Sequence, residues 1–288
     1  AAAAFFYSAG SYVNSLFKIP EIGLAQQGAT VLSNSRSSSA PLPVIYGARR
    51  VGGVQIFVGT SAGYLPEPTD EYPDGVMPNE FLNMVIALCE GPIGAVKKVY
   101  ANNVEIWPQM DDRFQGKAFI SVHTGEKTQA ADQALINVSN GAVKPFEWDS
   151  SYKLSGVAYL YVQLEADNEV WGSGVPTINA DVLGKVVEDT RSTYSGTAFS
   201  IERYSNNPAL CIRDYLLDTT YGKGIPGSQI GNTSFEAAAN YCDEKITITK
   251  DDGTTITQKR FTMNGVVTVG ETSMDILNKM LTSCRGML

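Results

Sequence analysis

The stretch from Tyr204 to Pro226, YSNNPALCIRDYLLDTTYGKGIP, constrains this chain more than any other. Asn206 and Asn207 are both able to cap a helix, and Pro208 suits its first position, where a missing N–H costs nothing. Leu210, Cys211, Ile212, Tyr215, Leu216 and Leu217 then give a broad apolar face, and Tyr-Gly-Lys-Gly-Ile-Pro forbids continuation. Strand signals dominate before this stretch, and helix and hairpin signals mix after it. It reads as a joint between a β-rich part and a compact α+β part.

A length of 288 residues fits roughly two domains. Apolar content of 43% with 18% charge allows a sizeable core, and 27 Gly with 13 Pro favour many turns and short strands. A net charge of −8 argues against a general phosphate-binding surface, although acidic walls would suit a conduit that must not hold DNA. No apolar run approaches the ~18 residues of a membrane span. The start, AAAAFFYSAG, has no basic n-region of a signal peptide, and with the end, CRGML, it reads as the edge of a segment of a longer protein. Cys89, Cys211, Cys242 and Cys284 are far apart without a C-x-x-C pair, and His123 is the single histidine. Buried structural thiols are expected, with no metal and no cofactor, and folding inside the cell.

Residues 1–35 mix aromatics with Gly, Ser and Gln without a sustained period, and read as an arm that docks on a neighbour or as part of a core. Val44–Tyr46 and Val51–Val58 suggest two short strands punctuated by Gly47 and Gly52-Gly53. Arg49 and Arg50 fit a solvated strand or a carboxylate pair better than a phosphate contact. The loop from Tyr64 to Asn79 carries Glu67, Asp70, Glu71 and Asp74, whose spacing does not match a calcium loop. Phe81–Cys89 reads as a buried strand ending at Glu90-Gly91-Pro92, and Asn102-Asn103 as a hairpin turn. Residues 108–154 are more polar and read as an insertion with a helix near Thr128–Ile136, where His123 has no evident partner. Tyr159, Tyr161 and Gln163 alternate with Leu160, Val162 and Leu164 as in a half-buried strand, and a later strand carries a kink at Gly184. After the joint, Thr233-x-x-Glu236 is a capping box, Ile246, Ile248 and Ile256 mark a hairpin, and Thr272-x-x-Asp275 opens a last helix.

Catalytic signals are nearly absent. G-x-S-x-G, P-loop and H-E-x-x-H patterns do not occur. Gly222-Lys-Gly224-Ile-Pro-Gly227 matches G-x-G-x-x-G only formally, since it follows a helix and contains Pro226. Cys89 ahead of His123 has the order of some cysteine peptidases, but no helix start to lower the thiol pKa. Asp111-Asp112 adjoin each other, unlike a glycosidase pair held ~5–9 Å apart. No catalytic, cofactor-binding or metal residue is therefore assigned, and no enzyme activity is expected. A receptor- or carbohydrate-binding module using Tyr64, Tyr72, Trp107 and Trp148, or a cell-wall hydrolase acting through Cys89 or Glu90, are the alternative readings.

The segments SSSAPLPVIYGARRVGG, MVIALCEGPIGAVKKVYANN, LYVQLEADNEVWGSGVPTINADVLGKVV and the joint itself resemble the hub region of phage tail-tip proteins, the family of the lambda tip attachment protein J and of related hubs in long-tailed phages and gene transfer agents. The resemblance covers about residues 37–288, most specifically Glu90-Gly91-Pro92-Ile93, Asn206-Asn207-Pro208-Ala209, Tyr221-Gly222-Lys223-Gly224, Tyr241-Cys242-Asp243 and Ser283-Cys284. It implies a mainly β, α+β fold: a β-barrel-like hub domain over 36–203 with a polar insertion at 108–154, then a small hub domain over 204–288 of helix, helix, hairpin and helix, continuing beyond the segment. It further implies a homotrimer at the distal end of a virion tail, assembled in the host cytoplasm. Implied partners are tail-tube ring proteins, other tip proteins and the tape-measure protein. A host receptor would be met through parts outside the segment, and phage DNA would be met only in transit.

Overall fold

A computed structural model describes residues 34–36, 40–141, 145–172, 174–191, 201–249, 253–268 and 270–286, so the expected arm at 1–35 lies almost wholly outside the described residues. Among them the fold is α+β and mainly β, with thirteen strands and five helices, and none of its sheets closes into a barrel. The barrel-like expectation is thus not met: the sheets are open, with two, five, two and four strands.

The chain divides into two compact units. One holds Arg50–Pro92 and Val96–Val182; the other holds Pro43–Arg49, Ile93–Ala95 and the described residues from Leu183 onward. The division falls inside a strand, ahead of the expected joint at Tyr204. The second unit needs residues from before the joint because its first helix is apolar on nearly all sides. Val44, Tyr46 and Val187 pack in the same cluster as Leu210, Cys211, Ile212 and Tyr215.

The first unit is built on an antiparallel sheet of order β3-β4-β8-β7, with β3 at Val54–Tyr64, β4 at Val76–Glu90, β7 at Ala118–Thr124 and β8 at Val157–Glu165. Leu82–Cys89 forms the buried part of β4, as the continuous apolar run from Phe81 predicts, with Phe81 itself half-buried. The alternation in β8 suggests one wet face, yet Ala158–Val162 are buried throughout. The covering comes from the supposed insertion. Its β7 pairs with β8 from Ala118↔Leu164 to Thr124↔Ala158, and its helix α1 (Gln133–Ser139) brings Leu135 into a cluster with Trp148, Val85, Tyr159 and Tyr161. Residues 108–154 are therefore integral to this sheet rather than appended to it. Asn102 and Asn103 take φ of 47° and 68°, the paired positive angles of a tight turn between β5 (Ile93–Ala101) and β6 (Val104–Trp107). At the end of β4, a Cβ on Gly91 would lie 2.6 Å from the Gly125 Cα, so only glycine fits there.

In the second unit, β1 (Val44–Tyr46) pairs with β13 (Gly265–Val267), and β10 (Ile201–Tyr204) pairs with the end of β9 (Ile178–Asp189). Gly184 is not a kink. A Cβ there would lie 2.1 Å from the Ile45 carbonyl oxygen, so the residue permits close approach of two backbones. After the short α2 (Asn168–Trp171) of the first unit, helices α3 (Pro208–Leu217), α4 (Asn232–Asp243) and α5 (Ser273–Thr282) flank the hairpin of β11 (Lys245–Thr249) and β12 (Thr255–Lys259) in chain order, as expected. Thr272 caps α5, its Oγ1 accepting from the Asp275 N–H at 3.2 Å. The predicted box at Thr233 does not form. Helix α4 starts two residues earlier, behind Gly231 and without a side-chain cap, and the Asn232 Oδ1 accepts from Arg213 Nε instead.

Candidate functional site

The second unit concentrates its buried polar chemistry around the joint. Asn207, fully buried, accepts from the Ala209 and Leu210 N–H groups through Oδ1, while its Nδ2 donates to the Ala239 carbonyl at 2.8 Å. One side chain thus caps α3 and ties it to α4. Past Leu217 the chain folds back. Lys223 N–H donates to the Tyr215 carbonyl, Gly224 N–H to that of Asp218 and Ile225 N–H to that of Leu216. A Cβ at Gly222 would fall 2.0 Å from the Tyr215 carbonyl oxygen. These amides are turned onto the end of a helix, so the formal G-x-G-x-x-G cradles no phosphate.

Under this wrap lies Asp214. Its Oδ2 accepts from the Tyr46 hydroxyl at 2.5 Å and from the Tyr221 hydroxyl at 3.2 Å, and Lys185 Nζ sits 5.1 Å from the Tyr221 ring centre. Burial raises the Asp214 pKa above the ordinary carboxylate value, against the lowering pull of Tyr46, Lys185 and Tyr221. Tyr46 and Tyr221 are likewise pushed up, chiefly by burial and then by the Asp214 charge.

Beside the joint is a cleft of about 240 Å³ lined by Arg191, Arg203, Tyr204, Ser205, Asn206, Asp243 and Lys259. Arg191 is 3% exposed and grips Asp189, itself 1% exposed, through Nη2–Oδ2 at 2.8 Å and Nε–Oδ1 at 2.8 Å. Arg203 reaches the same carboxylate at 2.5 Å, and Arg191 also meets Asp243 at 2.9 Å. Lys259 Nζ lies 2.6 Å from Asp243 Oδ1. Burial alone would raise the Asp189 pKa; hydrogen bonds from Arg191 and Arg203 outweigh it and hold the group at about 2. Each of these cations already holds a carboxylate. The arrangement clamps strands and helix α4 together.

In the first unit His123 has a partner that sequence proximity concealed. Its Nε2 lies 2.7 Å from Asp132 Oδ2 and its ring stacks on Tyr159 at 4.2 Å. Ser121 Oγ approaches the same Nε2 at 3.4 Å. A nucleophilic relay needs the hydroxyl and the carboxylate on opposite ring nitrogens, so this trio is not one. Asp132 is also the cap of α1, accepting from the Leu135 N–H at 2.8 Å. Its position one residue ahead of a helix was the available signal for that role.

The remaining candidates stay apart. Cys89 is buried on β4 opposite Ala158. Asp111 folds onto Arg113 and Asp112 onto Gln115 in an exposed turn. Arg50 forms the expected carboxylate pair, with Asp181 at 2.7 Å, and covers the Tyr100 ring at 3.7 Å. Of the four aromatics proposed for a binding groove, Tyr64 is exposed, Tyr72 and Trp107 are half-buried, and Trp148 is core, stacked with Tyr152 and against Phe57. Among the described residues no group of three His, Cys, Asp or Glu side chains is placed to hold a metal ion.

No family model matches the chain. Among solved structures it is similar to a chain of "Virion of native gene transfer agent (GTA) particle", at 20% identity and a TM-score of 0.37. The match covers 61% of this chain and 33% of that one, so the chain spans about a third of the length of this relative. A likeness of that size carries no argument about fold or function.

Proposed function

We propose that the chain is a structural hub protein of a phage-like tail tip, an adaptor that closes the tail tube and joins it to a central receptor-contacting fibre. In this reading it is a homotrimer that meets tube-ring proteins, other tip proteins and the tape-measure protein, and opens to let DNA pass. It has no reaction of its own. The observation that supports the reading is where the family-like residues lie. Glu90-Gly91-Pro92 turns the central strand, Asn207-Pro208 caps and docks α3, and Tyr221–Gly224 wraps the helix end over Asp214. All of these serve architecture. Helices are too short and polar to span a membrane among the described residues, and that feature neither adds to the reading nor subtracts from it. Antibody labelling of tail-bearing particles tests it: label confined to the distal tail end is expected, and label on the head or along the tube would contradict it.

A further inference from the structure

Asp214 differs from the other carboxylates held inside the second unit. Asp189 and Asp243 each meet an arginine or a lysine at 2.9 Å or less. Asp214 is half-buried and makes no ion pair among the described residues. Its Oδ2 is held instead by two phenol hydroxyls, Tyr46 at 2.5 Å and Tyr221 at 3.2 Å. Tyr46 comes from β1 and is fully buried, whereas Tyr221 belongs to the wrap. One carboxylate thus joins a strand from before the joint to the segment that folds back over the end of α3. The titratable and charged groups facing it are Tyr46 on β1, Lys185 on β9, Cys211 and the C-cap Asp218 on its own helix, and Tyr221. Lys185, the one cation among them, stands over the Tyr221 ring at 5.1 Å from its centre. Asp218 adds a like charge, and its Oδ1 accepts from the Thr220 and Tyr221 N–H groups. Cys211 stays a neutral thiol, because burial pushes its pKa up.

We propose that Asp214 is a proton-sensitive latch: the neutral acid holds the wrap shut over the end of α3, and its ionisation loosens the wrap from Tyr221 to Ile225. Two hydroxyl dipoles and a cation held off by a ring do not replace the water that a carboxylate loses here, so the closed wrap favours the protonated form. Burial accordingly raises the Asp214 pKa above the ordinary 3.8, although Tyr46, Lys185 and Tyr221 each pull it down. Opening returns the carboxylate to water and to its ordinary affinity for a proton. The gain from closing is complete below the ordinary carboxylate value and is lost as pH rises through the raised one. Three amides report the opening. Lys223, Gly224 and Ile225 donate to the carbonyls of Tyr215, Asp218 and Leu216 only while the wrap is shut. The latch belongs to this unit alone and does not depend on the tail-tip reading.

The test is amide exchange of Lys223, Gly224 and Ile225 in the intact chain from about pH 4 to about pH 8, each rate divided by that of the same amide in an unfolded peptide. Opening should rise about tenfold per pH unit between the ordinary and the raised value, then level off. In Asp214→Asn it should be the same at every pH. Tyr221→Phe removes a donor that pulls the Asp214 value down, so its rise should continue to higher pH. The Asp214 carboxyl carbon, followed by NMR over the same range, should titrate above 3.8. A flat profile in the native chain would overturn the latch, and so would an equal rise in Asp214→Asn. Should either variant fail to fold, the native profile and the carboxyl titration still decide, and a carboxyl titrating at or below 3.8 would overturn the proposal.

Discussion

Asp189 carries the clearest consequence at the scale of single residues. Its carboxylate is buried between two arginines, and its folded pKa of about 2 lies below the ordinary 3.8. A group depressed in this way contributes stability above its unfolded pKa and loses it as pH falls through the folded value. Urea unfolding of the second unit should therefore weaken between pH 4 and 2 by about 2 kcal/mol more in the native chain than in Asp189→Asn. At neutral pH the variant should be the weaker by ~3 kcal/mol, because Arg191 would keep a buried charge without its main partner. Equal pH profiles for the two proteins would show that the clamp is not the source. Sequence reading gave little warning of this group. Asp189 and Arg191 stand two apart in a strand end, and Asp243 arrives from a helix more than fifty positions later. Asn207 was more legible, because capping is local, yet its bond to Ala239 was not, because that bond is tertiary.

Among elements, α3 with its C-terminal wrap shows how local signals and long-range packing divide the work. Asn207, Pro208 and the Tyr-Gly-Lys-Gly stop are all short-range chemistry, and the helix lies where they place it. What covers it was hidden, because β1 comes from more than 150 positions earlier and β13 is a strand of only three residues. Residues 108–154 read as an insertion for a related reason. A short edge strand such as β7, set in a polar stretch, has weak periodicity, and its pairing with β8 makes it part of the sheet. The wrap makes a paired prediction. Gly222→Ala puts a methyl group 2.0 Å from the Tyr215 carbonyl and should cost several kcal/mol, lowering the melting temperature by about 10 °C or more. Gly227→Ala meets nothing nearer than 3.8 Å and should leave it within about 2 °C. Thermal melts of both variants check this, and similar losses would mean that the wrap is not tight.

For the molecule as a whole, the mainly β, α+β class and the order helix, helix, hairpin, helix were legible, whereas the division into units was not. Chain order suggests a cut at Tyr204, but the contacts place Pro43–Arg49 and Ile93–Ala95 with the later residues. Sequence marks joints by turn chemistry, and compactness is decided by which apolar faces find cover. Gly91, Asn207 and the Tyr221–Gly224 wrap hold this architecture in place, and the carboxylates beside them, Asp214, Asp189 and Asp243, already hold hydrogen bonds or ion pairs. Those two features motivate the proposal of a scaffold at the tail tip. The most direct measurement is an averaged reconstruction of the tail end of particles carrying this chain. The account predicts three-fold density closing the tube, into which each described unit fits separately three times. Density for these units on the head, along the tube wall, or in single copy at the tip would contradict it.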